Sequence, residues 1–309
     1  MGKLAGDGTG VAAARATGAT SHGERQGGVQ GVALLSSAEK DFVRAGVAVG
    51  VRPDGRECLE SRGFSVQLGV VPNAHGSAVV QCGGTRVVVG VKAEFAAMDR
   101  AAPRKGRIEA AVTCSATASP LFEGRAGEEV SAELSFVLNR MLSDGLGAAA
   151  YEQLHISDDL CWHLYADAVV LQHDGSLLDC ASMAIHAALA DTLVPLTTLG
   201  KNEDGSVHVE IHDSRTAPVL DMAHVPLFIT LAQVGQGVVA DALAAEEACA
   251  AARLSIGVSE AGRADGRALN PTLVSQMLKA ACKLGLRAAC AEEIAARNPA
   301  HVLDYPLFA

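Results

Sequence analysis

Between residues 64 and 95 apolar, largely β-branched positions gather in three short runs separated by turn chemistry, the pattern of β-strands. Phe64–Val71, Ser77–Cys82 and Thr85–Glu94 are the expected strands, and Pro72-Asn73-Ala74-His75-Gly76 and Gly83-Gly84 are the turns of an antiparallel meander. Val87-Val88-Val89 is too apolar for a strand with a wet face, which predicts a central strand covered on both sides. A further strand is expected from Arg107 through Ser115. After a turn at Gly124-Arg125-Ala126-Gly127 the period changes: Val130, Leu134, Val137, Leu138 and Leu142 recur at helical spacing, predicting an amphipathic helix over 128–142. Leu160–His173 then reads as a long strand, Asp174-Gly175 as a turn, and 176–191 as a helix. The alanines of that helix (Ala181, Ala184, Ala187, Ala188, Ala190) let it approach a sheet closely, and His186 within it is expected to be packed.

Ahead of the meander, Ser36-Ser37-Ala38-Glu39 is a capping box that predicts a short helix to about Gly46. Arg52-Pro53-Asp54-Gly55-Arg56 reads as a tight turn flanked by two arginines. Beyond residue 195 come hairpin-like pieces around Glu203-Asp204-Gly205, a strand over Val225–Val234, a short apolar run at Val238-Val239, and an alternating strand over Arg253–Val258. An amphipathic helix from about Pro271 to Arg297 follows, with Lys279, Lys283 and Arg287 on its polar side. The order of strands, turn and helix thus occurs twice, predicting an α+β fold of two similar halves, 36–195 and 196–298. A disordered tail (1–35) and a C-terminal tail (299–309) flank them. Strands in runs, without strict alternation with helices, argue against a doubly wound nucleotide fold, and Gly6-Asp7-Gly8-Thr9-Gly10 lacks the preceding strand a phosphate loop needs.

Composition narrows the function. Of 309 residues, 49% are hydrophobic and only 4% aromatic, which suits Ala, Val and Leu packing of helices on sheets. No apolar run approaches the length of a membrane span and no secretory signal is visible, so the expectation is a soluble protein without a membrane partner. A net charge of −10 argues against a nucleic-acid binder with a uniformly basic surface, but leaves room for a local patch. Arg100, Arg104, Lys105 and Arg107, on one loop and its exit, form the best such patch for holding phosphates. Eight cysteines without a C-x-x-C pair read as buried thiols in a reducing compartment. Cys161-Trp162-His163 alternates across a strand and does not make a zinc site.

The acidic bend between the last two strands carries Asp241, Glu246 and Glu247, and converging carboxylates are what magnesium requires. Arg253, where the next strand opens, is a fixed positive charge that repels a cation, so the residues favour solvated acids over a metal centre.

Several stretches together resemble the ribonuclease PH-like subunits of the RNA exosome: RPDGR at Arg52–Arg56, GTRVVVGVKAEF at Gly84–Phe95, CSATASPLFEGR at Cys114–Arg125, and the strand and helix over Leu160–Asp191. The resemblance runs from about Ser37 to about Arg297 and implies a ribonuclease PH-like fold. Active members of that family phosphorolyse RNA from its 3′ end. Their phosphate-binding helix start carries an arginine where this chain has Val130, followed here by Ser131, Ala132, Glu133 and Leu134. Their pair of aspartates, six positions apart, matches Glu247 and Arg253. Valine does not clasp phosphate and arginine is neither a metal ligand nor a proton donor at neutral pH, so no catalysis and no cofactor are expected. The resemblance further implies a hetero-oligomeric ring with other ribonuclease PH-like subunits and cap subunits, and single-stranded RNA in a central channel. There Arg100, Arg104, Lys105 and Arg107 match the pore-facing loop. It implies rRNA processing and mRNA turnover in nucleus, nucleolus and cytoplasm. The competing reading is an active phosphate-dependent exoribonuclease with Asp241, Glu246 and Glu247 as an unusual metal site; a small-molecule kinase on a related fold is the weaker third.

Overall fold

In a computed structural model, residues 35–98, 106–157, 159–201, 207–218, 220, 222 and 225–258 are described, together with short strand pairings at 12–13, 16–17, 264–266 and 303–305. The expected helix over 271–297 and both tails lie outside these, apart from those pairings. Helix α1 (Ser37–Ala48) begins as the capping box predicts: the Ser36 hydroxyl accepts from the Glu39 amide, and the Glu39 carboxylate accepts from the Ser36 amide at 2.7 Å.

The meander forms as read, with β1 (Phe64–Leu68), β2 (Gly76–Cys82) and β3 (Thr85–Ala97) antiparallel in sequence. The next strand, β4 (Arg107–Thr113), does not join β3. Instead β5 (Leu160–Gln172) takes the place beside β3, and β4 pairs with β5 in parallel at the sheet edge, giving the order β1-β2-β3-β5-β4. Val87, Val89 and Val91 are fully buried, but Val88 is only half-buried and Val169 across from it is exposed. The expectation of a strand covered on both sides is therefore corrected: β3 is central in the sheet, yet one face alone meets the core.

The edge strand β4 leaves outward-pointing amides that need partners. Helix α2 (Arg125–Gly145) lies along it and supplies them from one stripe of small polar residues. The Cys114 amide donates to Ser131 Oγ at 2.8 Å, the Val112 amide to Ser135 Oγ at 2.9 Å, and the Ala110 amide to Asn139 Oδ1 at 2.8 Å. The match is geometric: four helical residues rise about 6 Å and two strand residues about 6.6 Å, so every fourth residue of α2 meets every second of β4. Gly127 continues the stripe where a Cβ would run into the Phe122 and Cys114 carbonyls, which is why the helix and strand can approach there. Helix α2 starts at Arg125, so Gly124-Arg125-Ala126-Gly127 is not a turn before the helix but its cap and first residues. A short helix, α3 (Gly147–Glu152), follows it.

Helix α4 (Leu177–Asp191) is the centre of the molecule, buried from Leu177 through Leu189 except at Leu178. It packs on β2, β3 and β5 on one side and, on the other, on the second sheet of β8 (Leu227–Val234), β9 (Gly237–Ala240) and β10 (Ala250–Val258). In that sheet β8 is central, antiparallel to both neighbours. Strands β6 (Leu193–Lys201) and β7 (Val207–Pro218) form a separate two-stranded ribbon between the sheets in sequence. Helix α1, though it precedes the first sheet in sequence, packs on β8 and β9 through Val43 and Val47.

Strand β9 pairs only with residues 231–234 of β8, so the amides of Phe228 and Thr230 face away from any strand. Helix α4 fills the gap: the Phe228 amide donates to Ser182 Oγ at 3.0 Å, and the Thr230 amide and hydroxyl donate to the Asp179 carboxylate at 2.8 and 2.6 Å. Burial pushes the Asp179 pKa up to about 7, with the Thr230 bonds opposing. Because the folded value lies above the ordinary 3.8, the folded state holds a proton that the unfolded chain releases, so this group's contribution to stability falls as pH rises from about 4 to about 7. Asp179→Asn keeps one acceptor for the Thr230 amide, can donate its NH2 to the Thr230 hydroxyl, which turns to Ser255, and should abolish that loss. Its unfolding free energy relative to wild type should therefore be more favourable at pH 8 than at pH 5 by about 2–4 kcal/mol, read from urea titrations at the two pH values.

Candidate functional site at the acidic bend

The bend after β9 is a single turn of helix, α5 (Ala244–Glu247), set between β9 and β10. Its three acids have different surroundings. Glu246 is fully buried and forms a bidentate pair with Arg52: Nε to Oε1 at 2.9 Å and Nη2 to Oε2 at 2.7 Å. Glu246 Oε2 also accepts from the Leu243 amide at 2.9 Å. Arg52 spends its remaining donors on carbonyls, with Nη1 to Glu60 and Ala240 and Nη2 to Asp241, each at 2.9 Å. What the sequence shows as a surface turn is therefore the anchor of a buried ion pair spanning 194 residues of chain.

Asp241 takes a left-handed backbone, φ 47°, a conformation that Asp tolerates better than most residues, and its carboxylate turns inward. It accepts from Arg62 three times, from the amide at 2.7 Å, from Nε at 2.9 Å and from Nη2 at 2.7 Å, and from Arg56 Nη1 at 3.2 Å. Burial alone raises the Asp241 pKa, but the Arg62 hydrogen bonds and charge, with Arg56 behind them, outweigh it and hold the carboxyl below its usual range. Arg62 also reaches the Asp174 and Gly175 carbonyls, at 2.8 and 3.3 Å, and so ties the turn between β5 and α4 to the bend. Gly175 (φ 88°) makes this possible, because a Cβ there would overlap the Ala242 carbonyl.

Glu247 alone of the three is only partly buried. Its Oε1 accepts from the Ser176 amide at 3.1 Å, and Arg253 Nη1 stands 3.7 Å from the same oxygen, with the Arg253 side chain half-exposed. His173 packs against Phe122 with the rings tilted by 38° and 5.1 Å between centroids; burial lowers its pKa, against the pull of Glu247 and Asp174. Among the described residues no group of three or more His, Cys, Asp and Glu is placed to hold a metal ion. The three-acid metal site of the competing reading is therefore not assembled: the carboxylates of Asp241 and Glu246 are turned inward onto arginines, and Glu247 is held apart from them by the Ser176 amide with Arg253 beside it.

The stretch matched to a phosphate-binding helix start lies elsewhere in α2 than that reading placed it. Val130 to Leu134 begin five residues after Arg125, inside the helix. Val130 and Leu134 pack against the core, Ala132 and Glu133 face solvent, and Ser131, besides holding the Cys114 amide, donates to the Gly127 carbonyl at 2.7 Å. Those five residues thus present no free helix amides to an anion. Of the basic patch, Arg107 opens β4 and is exposed, whereas Arg100, Arg104 and Lys105 lie outside the described residues. The described cysteines are free thiols. Sequence reasoning missed Arg62, Asp174 and Asp179; nothing in their local pattern marks them, because their partners come from distant elements.

Two packed sheets around a shared helix, with an acidic bend beside the turn that leads into it, define a ribonuclease PH-type architecture. The chain belongs to the 3′ exoribonuclease family, whose domain 1 matches residues 60–195. It is similar to the "Exosome complex component Rrp42" of Methanopyrus kandleri, 33% identical over 230 residues that cover 74% of this chain and 84% of that protein. It is also similar to the "Putative exosome complex exonuclease RRP42" of Dictyostelium discoideum, 29% identical over 312 residues, 82% of this chain and 95% of the relative. Among solved structures, an archaeal exosome core subunit superposes with a TM-score of 0.63 at 25% identity over 83% of this chain and 96% of that one. A chain of the Archaeoglobus fulgidus exosome with RNA bound to the active site superposes with a TM-score of 0.64 at 27% identity, over 80% and 95%.

Breaking a buried, hydrogen-bonded ion pair from one side leaves a charge without a partner. Arg52→Met should therefore destabilise the chain by about 3–5 kcal/mol in denaturant titration, whereas Arg253→Met, at a half-exposed pair, should cost under about 1 kcal/mol.

Proposed function

We propose that this chain is a non-catalytic subunit of an exosome core ring, one that shapes the RNA path and supports 3′-to-5′ RNA processing and decay carried out by other subunits. The observation that carries the reading is the Arg253 guanidinium 3.7 Å from Glu247, at the two positions where the family resemblance expects a pair of aspartates. A carboxylate already paired with arginine offers a cation little, and arginine supplies neither a lone pair for a metal nor a proton for a leaving group. The other two acids of the bend are held by Arg52, Arg56 and Arg62. The relatives named as exosome components and the exosome chains of the same fold, one with RNA bound, support assembly with other exosome subunits and RNA; cap subunits and a single-stranded RNA path complete the reading.

In this reading Arg107, with Arg100, Arg104 and Lys105 on the preceding segment, contacts RNA phosphates. The place of work follows the complex: nucleus and nucleolus, and cytoplasm.

The purified chain, given single-stranded RNA, inorganic phosphate and magnesium, should release no nucleoside diphosphates above background; sustained release that Glu247→Gln abolishes would show a working site. In an assembled ring, changing Arg100, Arg104, Lys105 and Arg107 together to Glu should weaken RNA binding and flatten its dependence on salt. An unchanged salt slope would remove the phosphate contact from the account.

A further inference from the structure

The outer face of the first sheet, beside Arg107, carries two rows of polar side chains across three strands. Glu94 on β3, His163 on β5 and Arg107 on β4 are in register in one row, and Lys92, Tyr165 and Glu109 in the next. His163 is the exception on this face, being 94% buried beneath longer neighbours while Glu94, Arg107 and Glu109 are exposed. Its ring lies on the Tyr165 ring with centroids 4.0 Å apart. Nε2 has no hydrogen-bond partner among the described residues and faces the Glu109 carboxylate at 3.5 Å. An imidazole nitrogen at the limit of hydrogen-bond distance from a carboxylate gains an ion pair when the ring takes a proton.

We propose that His163 is a proton-controlled element of this face: on taking a proton it pairs with Glu109 and adds a positive charge beside Arg107, strengthening its hold on RNA phosphates. This inference rests on the RNA contact assigned to Arg107 above. Among the described residues, the charged groups facing His163 are Lys92 and Glu94 on β3 and Arg107 and Glu109 on β4. Two cations and two anions cancel while the imidazole is neutral, and Lys92 and Glu94 already pair at 2.7 Å. A proton on His163 is therefore uncompensated. It is stabilised by Glu109 on one side and by the Tyr165 ring on the other, and an RNA phosphate at Arg107 favours it further. Burial and the Arg107 charge lower the pKa of His163 from 6.5, against Glu109 and Glu94, so without RNA the neutral form prevails at pH 7. By linkage, whatever phosphate adds to the proton's affinity, the proton adds to phosphate's.

The test is equilibrium binding of a short single-stranded RNA to the assembled ring containing the full chain, at pH 5.5 and 7.5 and fixed ionic strength. His163→Gln should bind as wild type does at pH 7.5 and lose about threefold of the tightening seen at pH 5.5, a change within what one proton supplies over this range. Glu109→Gln, at an exposed position, should also reduce the tightening, by removing the acceptor that favours the imidazolium. An Arg107→Glu ring separates the two claims. If it binds RNA more weakly while His163→Gln keeps the full pH response, the proton switch is overturned and the RNA contact stands. If Arg107→Glu binds RNA as wild type does at both pH values, the contact fails and the inference fails with it.

Discussion

Three arginines and two acids tie the segment before the first sheet to the bend of the second. Arg52 and Arg62 come from the segment leading into the first sheet, while Asp241 and Glu246 come from the bend of the second, and all four side chains are nearly or fully removed from water. Such pairs are costly to bury, and they persist because almost every donor has an acceptor: Arg52 alone reaches two carboxylate oxygens and three well-placed carbonyls. A guanidinium that must meet a carboxylate through two parallel bonds tolerates little sliding. The same contacts that fix the sheets also occupy the acids of the bend, which joins the architecture of the chain to the chemistry it can support.

A second constraint recurs at both sheets. A strand with an open side needs partners for its amides, and here helices provide them through short polar side chains. Helix α2 seals β4 with Ser131, Ser135 and Asn139, and α4 seals the end of β8 with Asp179 and Ser182. In α2 this use accounts for the serine that the family resemblance places in a phosphate site: its hydroxyl is already bound on both sides, to the Cys114 amide and the Gly127 carbonyl. In α4 it accounts for a carboxylate at the centre of the molecule, held where only hydrogen bonds from Thr230 balance its loss of water.

Much of the fold was legible because it depends on local period. The meander, the capping box at Ser36, the long strand β5 and helix α4 follow from apolar runs, helical spacing and turn residues. Helix α2 was read three residues late because Arg125, Ala126 and Gly127 carry no apolar repeat. The parallel place of β4 beyond β5 was not readable, since nothing in residues 107–113 says which neighbour they choose. The arginines of the RPDGR stretch were read as a turn for the same reason: a period-based reading assigns charge to the surface, and their partners lie nearly two hundred residues away. Of the candidate site, the opposition of Arg253 to Glu247 was visible in the spacing and is present in the structure, whereas the burial of Asp241 and Glu246 was not foreseen.

The central claim is that the acids of the bend are engaged by arginines and hold no divalent metal. Binding of manganese, as a spectroscopic stand-in for magnesium, measures this directly by electron paramagnetic resonance on the purified chain and on its Glu247→Gln variant. The account predicts only weak, unsaturated binding that is the same for both. A saturable site of one ion per chain, lost in Glu247→Gln, would contradict it.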